Sequence, residues 1–516
     1  MLTQKTTALE FSRKDERIAA LLELVEKIDD LKSLNDLAEW DQNTLLPDGA
    51  GGTRGNQMAT IQGVLHDYWT NPRLGHLLDE LQERVKGAEY TDADRGLVYE
   101  ARRMYEQSTK LPRALVEEMA RVAANSFEAW RRARERNDFA SFAPWLARTV
   151  ELQREAADHF GYEETRYDAL LDLYEPTMTV SRLDRLFAPV REVSATMLRR
   201  IKDSGNTVDD ACLAGDFDTE KQVALSKRLL TGMGYDFNRG AIAVSPHPFT
   251  SGISSPFDVR VTVHPDRHHI QAAIMAAIHE GGHALYEQGS LESLARTLVA
   301  GGVSMGVHES QSRLWENAIG RSEAFWRGQF AAVREAFPQH FANVDAATFA
   351  RALNKVQPSL IRIEADEVTY NLHIIVRYEL ERELINGKVA IESLPRMWNA
   401  KYREYLGIEP ERDSEGVLQD IHWTSGFGYF PSYTLGNLYG AQIYATLRQE
   451  FRDFDERLAV GDTAFVLNWL REKMYAVGSI HLPEELMKRV TGKTPDPQFF
   501  VRYLTSKFEG IYGLQI

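Results

Sequence analysis

Apolar residues recur at spacings of three and four along most of this chain. The first clear instance is Ile18, Leu21, Leu22, Leu24, Val25, Ile28 and Leu31, which lays one apolar stripe along one helix face. Prolines are sparse and stand mostly between such stretches, so the pattern predicts long amphipathic helices. Two stretches break it. From Leu45 to Arg54, Pro47, Gly49, Gly51 and Gly52 follow Trp40 and Asp41 and predict a surface loop. From Val244 to Pro265, Pro246, Pro248 and Pro256 punctuate a loop before Val259, Val261 and Val263 alternate with Arg260 and Thr262, the period-two signature of a strand. No repeat, low-complexity tract or Gly/Pro/Ser-rich linker divides the chain. The expectation is a mainly α body with one small β-sheet. It forms a single unit over residues 1–516, with an N-terminal helical lobe over about 1–240 and a second part over about 241–516.

Composition narrows the partners. The chain has 516 residues, 43% of them hydrophobic, which is ample for a large core. Seventy-five acidic against 60 basic side chains give a net charge of −15, which argues against a broad surface for nucleic acid or anionic membrane. Small molecules, peptides or a second copy of the chain are the expected partners. The single cysteine, Cys212, excludes an intramolecular disulfide framework and thiolate-rich metal sites, so any metal must sit on histidines and carboxylates. Met1 to Arg17 lacks the apolar core of roughly 7–15 residues of a secretory signal. No apolar run approaches the ~20 residues of a membrane span. A soluble, cytoplasmic protein is expected.

Between His269 and Leu285, Ile270, Ala273, Ile274, Ala277, Ile278 and Ala284 keep helical spacing, which places His279, Glu280 and His283 on one helix. An i, i+4 separation puts both imidazoles on the same face, one turn apart, where they can share an ion. Glu280 follows the first histidine, where its carboxylate can take a proton from the attacking water. Gly281 and Gly282 each cost about 1 kcal/mol in a helix interior, which implies close approach by another element or by substrate.

A catalytic zinc site needs a third protein ligand. Glu309 is the choice, on a new helix predicted from Val307 to Glu316 after Gly301 and Gly302, with Glu316 as the alternative. Two histidines and a carboxylate leave one position open for water, whose proton Glu280 would pass to a leaving amine. Cys212 has no base or orienting group nearby in sequence, and no Gly-rich phosphate loop is present, which disfavours other chemistries.

Five blocks in order carry a likeness to a known family. They are Asp258-Val259-Arg260-Val261-Thr262, His279 to His283, His308-Glu309-Ser310-Gln311-Ser312, Ile361-Arg362-Ile363-Glu364-Ala365-Asp366, and Gly416-Val417-Leu418-Gln419-Asp420-Ile421-His422-Trp423. Trp40-Asp41-Gln42 and the Pro47 loop extend it toward the N-terminus. The chain resembles the carboxypeptidase Taq family of metallocarboxypeptidases, related in fold to neurolysin and angiotensin-converting enzyme. The resemblance implies a two-lobed helical zinc-peptidase fold with a deep cleft and a small sheet beside the metal helix. It further implies removal of single C-terminal residues with broad specificity and proline disfavoured, zinc replaceable by cobalt, and a homodimer.

A carboxypeptidase must hold the substrate's terminal carboxylate, which a guanidinium does with two parallel bonds. Arg362 leads, on a stretch from Ile361 to Leu380 expected to be helical, with Arg260 and Arg313 as competitors and Arg260 expected to be structural. The strand Asp258 to Val263 is expected to offer an edge to an extended peptide. His422 and a tyrosine from a mobile glycine loop are expected to stabilise the oxyanion, and the resemblance implies Tyr433 before Tyr429. His247 is a weaker candidate for substrate contact. His264, His268, His269 and His308 are read as exposed or structural, and Trp40 and Asp41 as packing residues. The rivals are an endopeptidase or dipeptide-releasing enzyme on the same scaffold, and a helical binding protein without activity.

Overall fold

A computed structural model describes residues 9–253 and 255–514. Residues 1–8 of the segment read for a targeting signal lie outside the described residues. The architecture is mainly helical with one small sheet, as expected. Buried side chains from Trp130 to Tyr512 form one large apolar core, and Ile18 to Ala101 contribute a second. No helix among the described residues is long and apolar enough to cross a membrane.

The sheet is built from β1 (Gly240–Val244), β2 (Thr250–Ser251) and β3 (Val259–Val263), in the order β1-β3-β2. β1 runs parallel to β3, and β2 runs antiparallel to it with Thr250 opposite Val261 and Ser251 opposite Arg260. Val259, Val261 and Val263 are fully buried, and β3 packs on the helix Gln271–Gln288. The alternation that predicted β3 is therefore real, but the strand offers no edge, because it is paired on both sides. β1 and β2 hold the two edges instead, β2 being the one beside Glu280. Two residues long, β2 leaves no period-two pattern to read.

Three further expectations need correction. The loop from Leu45 to Arg54 is shorter than its glycines suggest, since a 3₁₀ turn at Asp48–Ala50 runs into a helix at Gly51–Trp69. Arg54 ties that helix back onto Glu16–Thr44 through Asp41 at 2.8 Å and the Ala38 carbonyl at 2.7 Å, so packing overrides glycine's propensity. The stretch from Ile361 is helical only from Tyr370 to Ile385, and Arg362 lies on a short 3₁₀ turn before it. Asp366 explains the break: its carboxylate accepts from the Val368 and Thr369 amides at 2.9 and 3.1 Å, offering the backbone an alternative to the helix. Tyr433 sits not in a mobile loop but in the first turn of the helix Pro431–Glu450, which begins at Pro431.

The glycine pair in the histidine helix has a steric cause. A Cβ on Gly282 would lie 2.6 Å from the Gln311 carbonyl oxygen and 2.7 Å from Ser312 Cα, both backbone atoms of the helix Met305–Arg313. A Cβ on Gly281 would meet only side-chain ends, Leu230 Cδ2 at 2.7 Å and Met233 Cε at 2.9 Å. Gly282→Ala should therefore destabilise the protein by about 1–3 kcal/mol through overpacking. Gly281→Ala should change stability little, as its neighbours can rotate away. Melting temperatures of the two variants check this, and equal shifts would contradict the steric account.

Candidate metal centre and its surroundings

His279, His283 and Glu309 converge, with one donor atom from each lying within 4.8 Å of the others. His279 Nε2 is 3.7 Å and His283 Nε2 is 3.4 Å from the same oxygen, Glu309 Oε2. Their other nitrogens are committed elsewhere. His279 Nδ1 lies 2.8 Å from Glu316 Oε2, a carboxylate that can only accept, so the proton sits on Nδ1. His283 Nδ1 lies 2.6 Å from His308 Nδ1, while His308 Nε2 lies 2.7 Å from Glu287 Oε1. Glu287 accepts the hydrogen bond from His308 Nε2–H, so His308 Nδ1 accepts from His283 Nδ1. Both Nε2 lone pairs thus face Glu309, as a metal site requires.

The two imidazoles sit in opposite fields: burial lowers the His279 pKa, but Glu309 and Glu316 outweigh it and raise the pKa above the ordinary value. Burial lowers the His283 pKa to about 4, against the pull of Glu309, so its imidazole is neutral at physiological pH. Burial pushes the Glu309 carboxyl up, but Arg313 and the two imidazoles outweigh it and hold the group well below the usual carboxylate range. Arg313 donates from Nε to Glu309 Oε1 at 2.6 Å and from Nη1 to Glu316 Oε2 at 3.3 Å, and lies 4.3 Å over the Tyr370 ring. It is thereby engaged by both carboxylates. Glu316 also accepts from Arg321 Nη2 at 3.0 Å. These two residues, five apart, meet where the chain widens into a π-helical turn at Leu314–Ile319.

Glu280 is buried, and burial raises its pKa while His279 and Thr250 oppose the rise. The Thr250 hydroxyl donates to Glu280 Oε2 at 2.7 Å, tying the carboxylate to β2. No sequence signal marked Thr250, which stands in a proline-flanked loop.

A second charged cluster is organised by Asp420. It accepts from Arg362 Nε at 3.0 Å and from Arg377 Nε at 2.6 Å, and the two guanidinium groups hold its pKa far below normal against the effect of burial. Arg362 is 8% exposed, packs against the Phe430 and Tyr433 rings, and has its Nη1 3.4 Å from the Tyr370 hydroxyl. Tyr370 thus lies between Arg313 of the first cluster and Arg362 of the second. The Tyr433 hydroxyl is 3.5 Å from His422 Nε2, and Tyr429 packs edge-on against Tyr433. Burial, with Arg362 and Arg377, drops the His422 pKa to about 4 although Asp420 opposes them. Arg260 lies apart from this group, bidentate to Asp258 at 2.7 and 2.8 Å and 4.8 Å over the Trp40 ring. His247 is exposed in the turn between β1 and β2.

A His-Glu-x-x-His helix with a carboxylate from a following helix, inside a helical fold, is the arrangement of a metallopeptidase. The profile described as Carboxypeptidase Taq (M32) metallopeptidase matches residues 20–508. The chain is 41% identical to thermostable carboxypeptidase 1 of Thermus thermophilus over 96% of its own length and 98% of that protein. It is 38% identical to carboxypeptidase 1 of Bacillus subtilis, over 95% and 98% of the two chains. The crystal structure of a carboxypeptidase of the same family from Deinococcus radiodurans R1 superposes with a TM-score of 0.93 at 36% identity, covering 97% of this chain and all of that one. The chain belongs to the carboxypeptidase Taq family and is a metallocarboxypeptidase.

Glu316 fixes the tautomer and orientation of His279 without belonging to the convergent triad. Glu316→Gln should weaken metal binding about 10–100-fold, the usual range for a partner that orients a ligand. Titration against a chromogenic chelator measures it, and unchanged affinity would show that Glu316 does not orient His279.

Proposed function

We propose that this metallocarboxypeptidase removes single residues from peptide C-termini with broad specificity, and that His279, His283 and Glu309 hold its zinc ion. The observation that carries the assignment is the convergence of two Nε2 lone pairs on Glu309 Oε2, each histidine having its Nδ1 proton engaged elsewhere. Two imidazole nitrogens and a carboxylate are the donor set of a catalytic zinc site with one open position. Zinc bound there, or cobalt in its place, supplies Lewis acidity toward water and the scissile carbonyl.

Glu280 acts as general base. Thr250 occupies Oε2, which leaves Oε1 to take the proton from the attacking water and return it to the leaving amine. Its raised pKa suits a group that must both accept and release that proton. Arg362 holds the substrate's terminal carboxylate. Asp420 and Tyr370 fix its Nε and Nη1, while Nη2 makes no hydrogen bond among the described residues. Tyr433, or Tyr429 beside it, and neutral His422 face the developing oxyanion. The peptide lies extended along the edge of β2, where main-chain bonds give affinity with little side-chain preference. A deep cleft closed at one end between the two lobes, a homodimer and a cytoplasmic location belong to the same proposal.

Glu280→Gln should retain one zinc per chain and lose about 10²–10⁴-fold in kcat, because the base is removed and the ligands remain. Loss of metal in that variant would make Glu280 a ligand. Amidating the C-terminus of a good substrate should abolish cleavage by the wild type. If the amide is cut as fast as the free acid, Arg362 is not a carboxylate clamp.

A further inference from the structure

Trp40, grouped with the sequence blocks yet far from them along the chain, lines a groove of about 780 Å³ together with Leu34, Leu45, Ile61, Arg54 and Arg260. Two features of this groove are unusual for a packed surface. Leu34 and Leu45 are 55% and 69% exposed. Trp40 is only 6% exposed, and its Nε1–H has no hydrogen-bond partner. That N–H is closed off from solvent, so the groove offers a ligand apolar contact rather than a hydrogen bond. Arg260, held by Asp258 and stacked on the Trp40 ring, fixes one wall. A ligand suited to the groove therefore carries an apolar group, as one residue of a peptide does.

The groove also has a fixed relation to the catalytic carboxylate. Arg260, part of its wall, pairs across the sheet with Ser251 on β2, and the neighbouring residue on β2 is Thr250, which holds Glu280. Successive residues of a strand point to opposite faces, so Thr250 faces the histidine helix while Ser251 shares the face of Arg260. A peptide added to the edge of β2 sends alternate side chains to these two faces. We propose that the groove is a subsite for an apolar side chain of the substrate upstream of the scissile bond. This rests on the placement of substrate along β2 proposed above, and it makes the helix Glu16–Thr44 a determinant of specificity within an otherwise permissive enzyme.

The test uses the zinc-loaded protein, an N-acylated dipeptide that spans only the scissile bond, and pentapeptides with the same C-terminal pair and either Leu or Gly at each upstream position. The wild type should prefer Leu at one upstream position by about tenfold in kcat/KM, expressed in KM, as expected for burying one aliphatic side chain. In the Leu34→Ser/Leu45→Ser double variant, whose substitutions fall on exposed side chains, that preference should fall toward unity. A wild type with no apolar preference at any upstream position, or a preference unchanged in the double variant, overturns the proposal. Failure of the zinc-loaded wild type to cleave the dipeptide would instead overturn the reading of the catalytic site.

Discussion

The active centre depends on how closely one short helix is held between two others. Met305–Arg313 lies against the histidine helix at Gly282 and against Pro431–Glu450 at Gly436, where a Cβ would come 2.4 Å from Glu309 Cγ. Gly440 adds a second close approach, its Cβ position 3.0 Å from the Ser310 carbonyl oxygen. Contact at backbone distance leaves Glu309 little freedom to move, so its carboxylate is positioned by main-chain packing rather than by its own rotamer preferences. A helix interior carrying two adjacent glycines is intrinsically weak. That weakness is accepted here because any larger residue at Gly282 would push the third donor away from the two imidazoles.

Such packing brings many charges out of water, and the arrangement of partners makes this tolerable. Glu309 and Glu316 are buried beside each other, and Arg313 bridges both while Arg321 takes the remaining Glu316 oxygen. Buried ion pairs add little net stability compared with an apolar core, but removing one partner leaves a costly orphan. Their value lies in geometry: each imidazole has one nitrogen engaged and one free, which is the condition for metal binding. Asp420 does the same for Arg362 and Arg377, fixing one guanidinium by means of the other. Tyr370 touches an arginine from each cluster, so the two clusters share a rigid wall.

What could be read from sequence follows from how local each feature is. His279 and His283 share a face because of helical spacing and were legible at short range, whereas Arg313, one turn after Glu309, was read as a candidate carboxylate clamp rather than as the partner of Glu309. The helix carrying Glu309 announced itself through the glycines before it and the periodic residues after it. Arg362 was legible as a residue but not in its setting, because Asp366 captures the amides that a helix would have needed. The Asp420 cluster and the His308–Glu287 pair join residues 21 to 58 positions apart, and no local pattern specifies such pairings. β2 was missed because two residues cannot show a period.

That missed strand connects the parts of the molecule that sequence reading left separate. Thr250 on β2 holds Glu280, its register partner Val261 is buried on the same face, and Arg260, opposite Ser251, stacks on Trp40. The small sheet is thus a partition with the chemistry on one face and the N-terminal helices on the other. Its strand alternation allows a single extended peptide to contact both. Main-chain recognition along the edge is indifferent to side chains, so any discrimination must come from the two faces. The histidine-helix face is occupied by Glu280 and the two imidazoles, which leaves the Trp40 face as the one where residue preference could be built without disturbing the candidate metal centre.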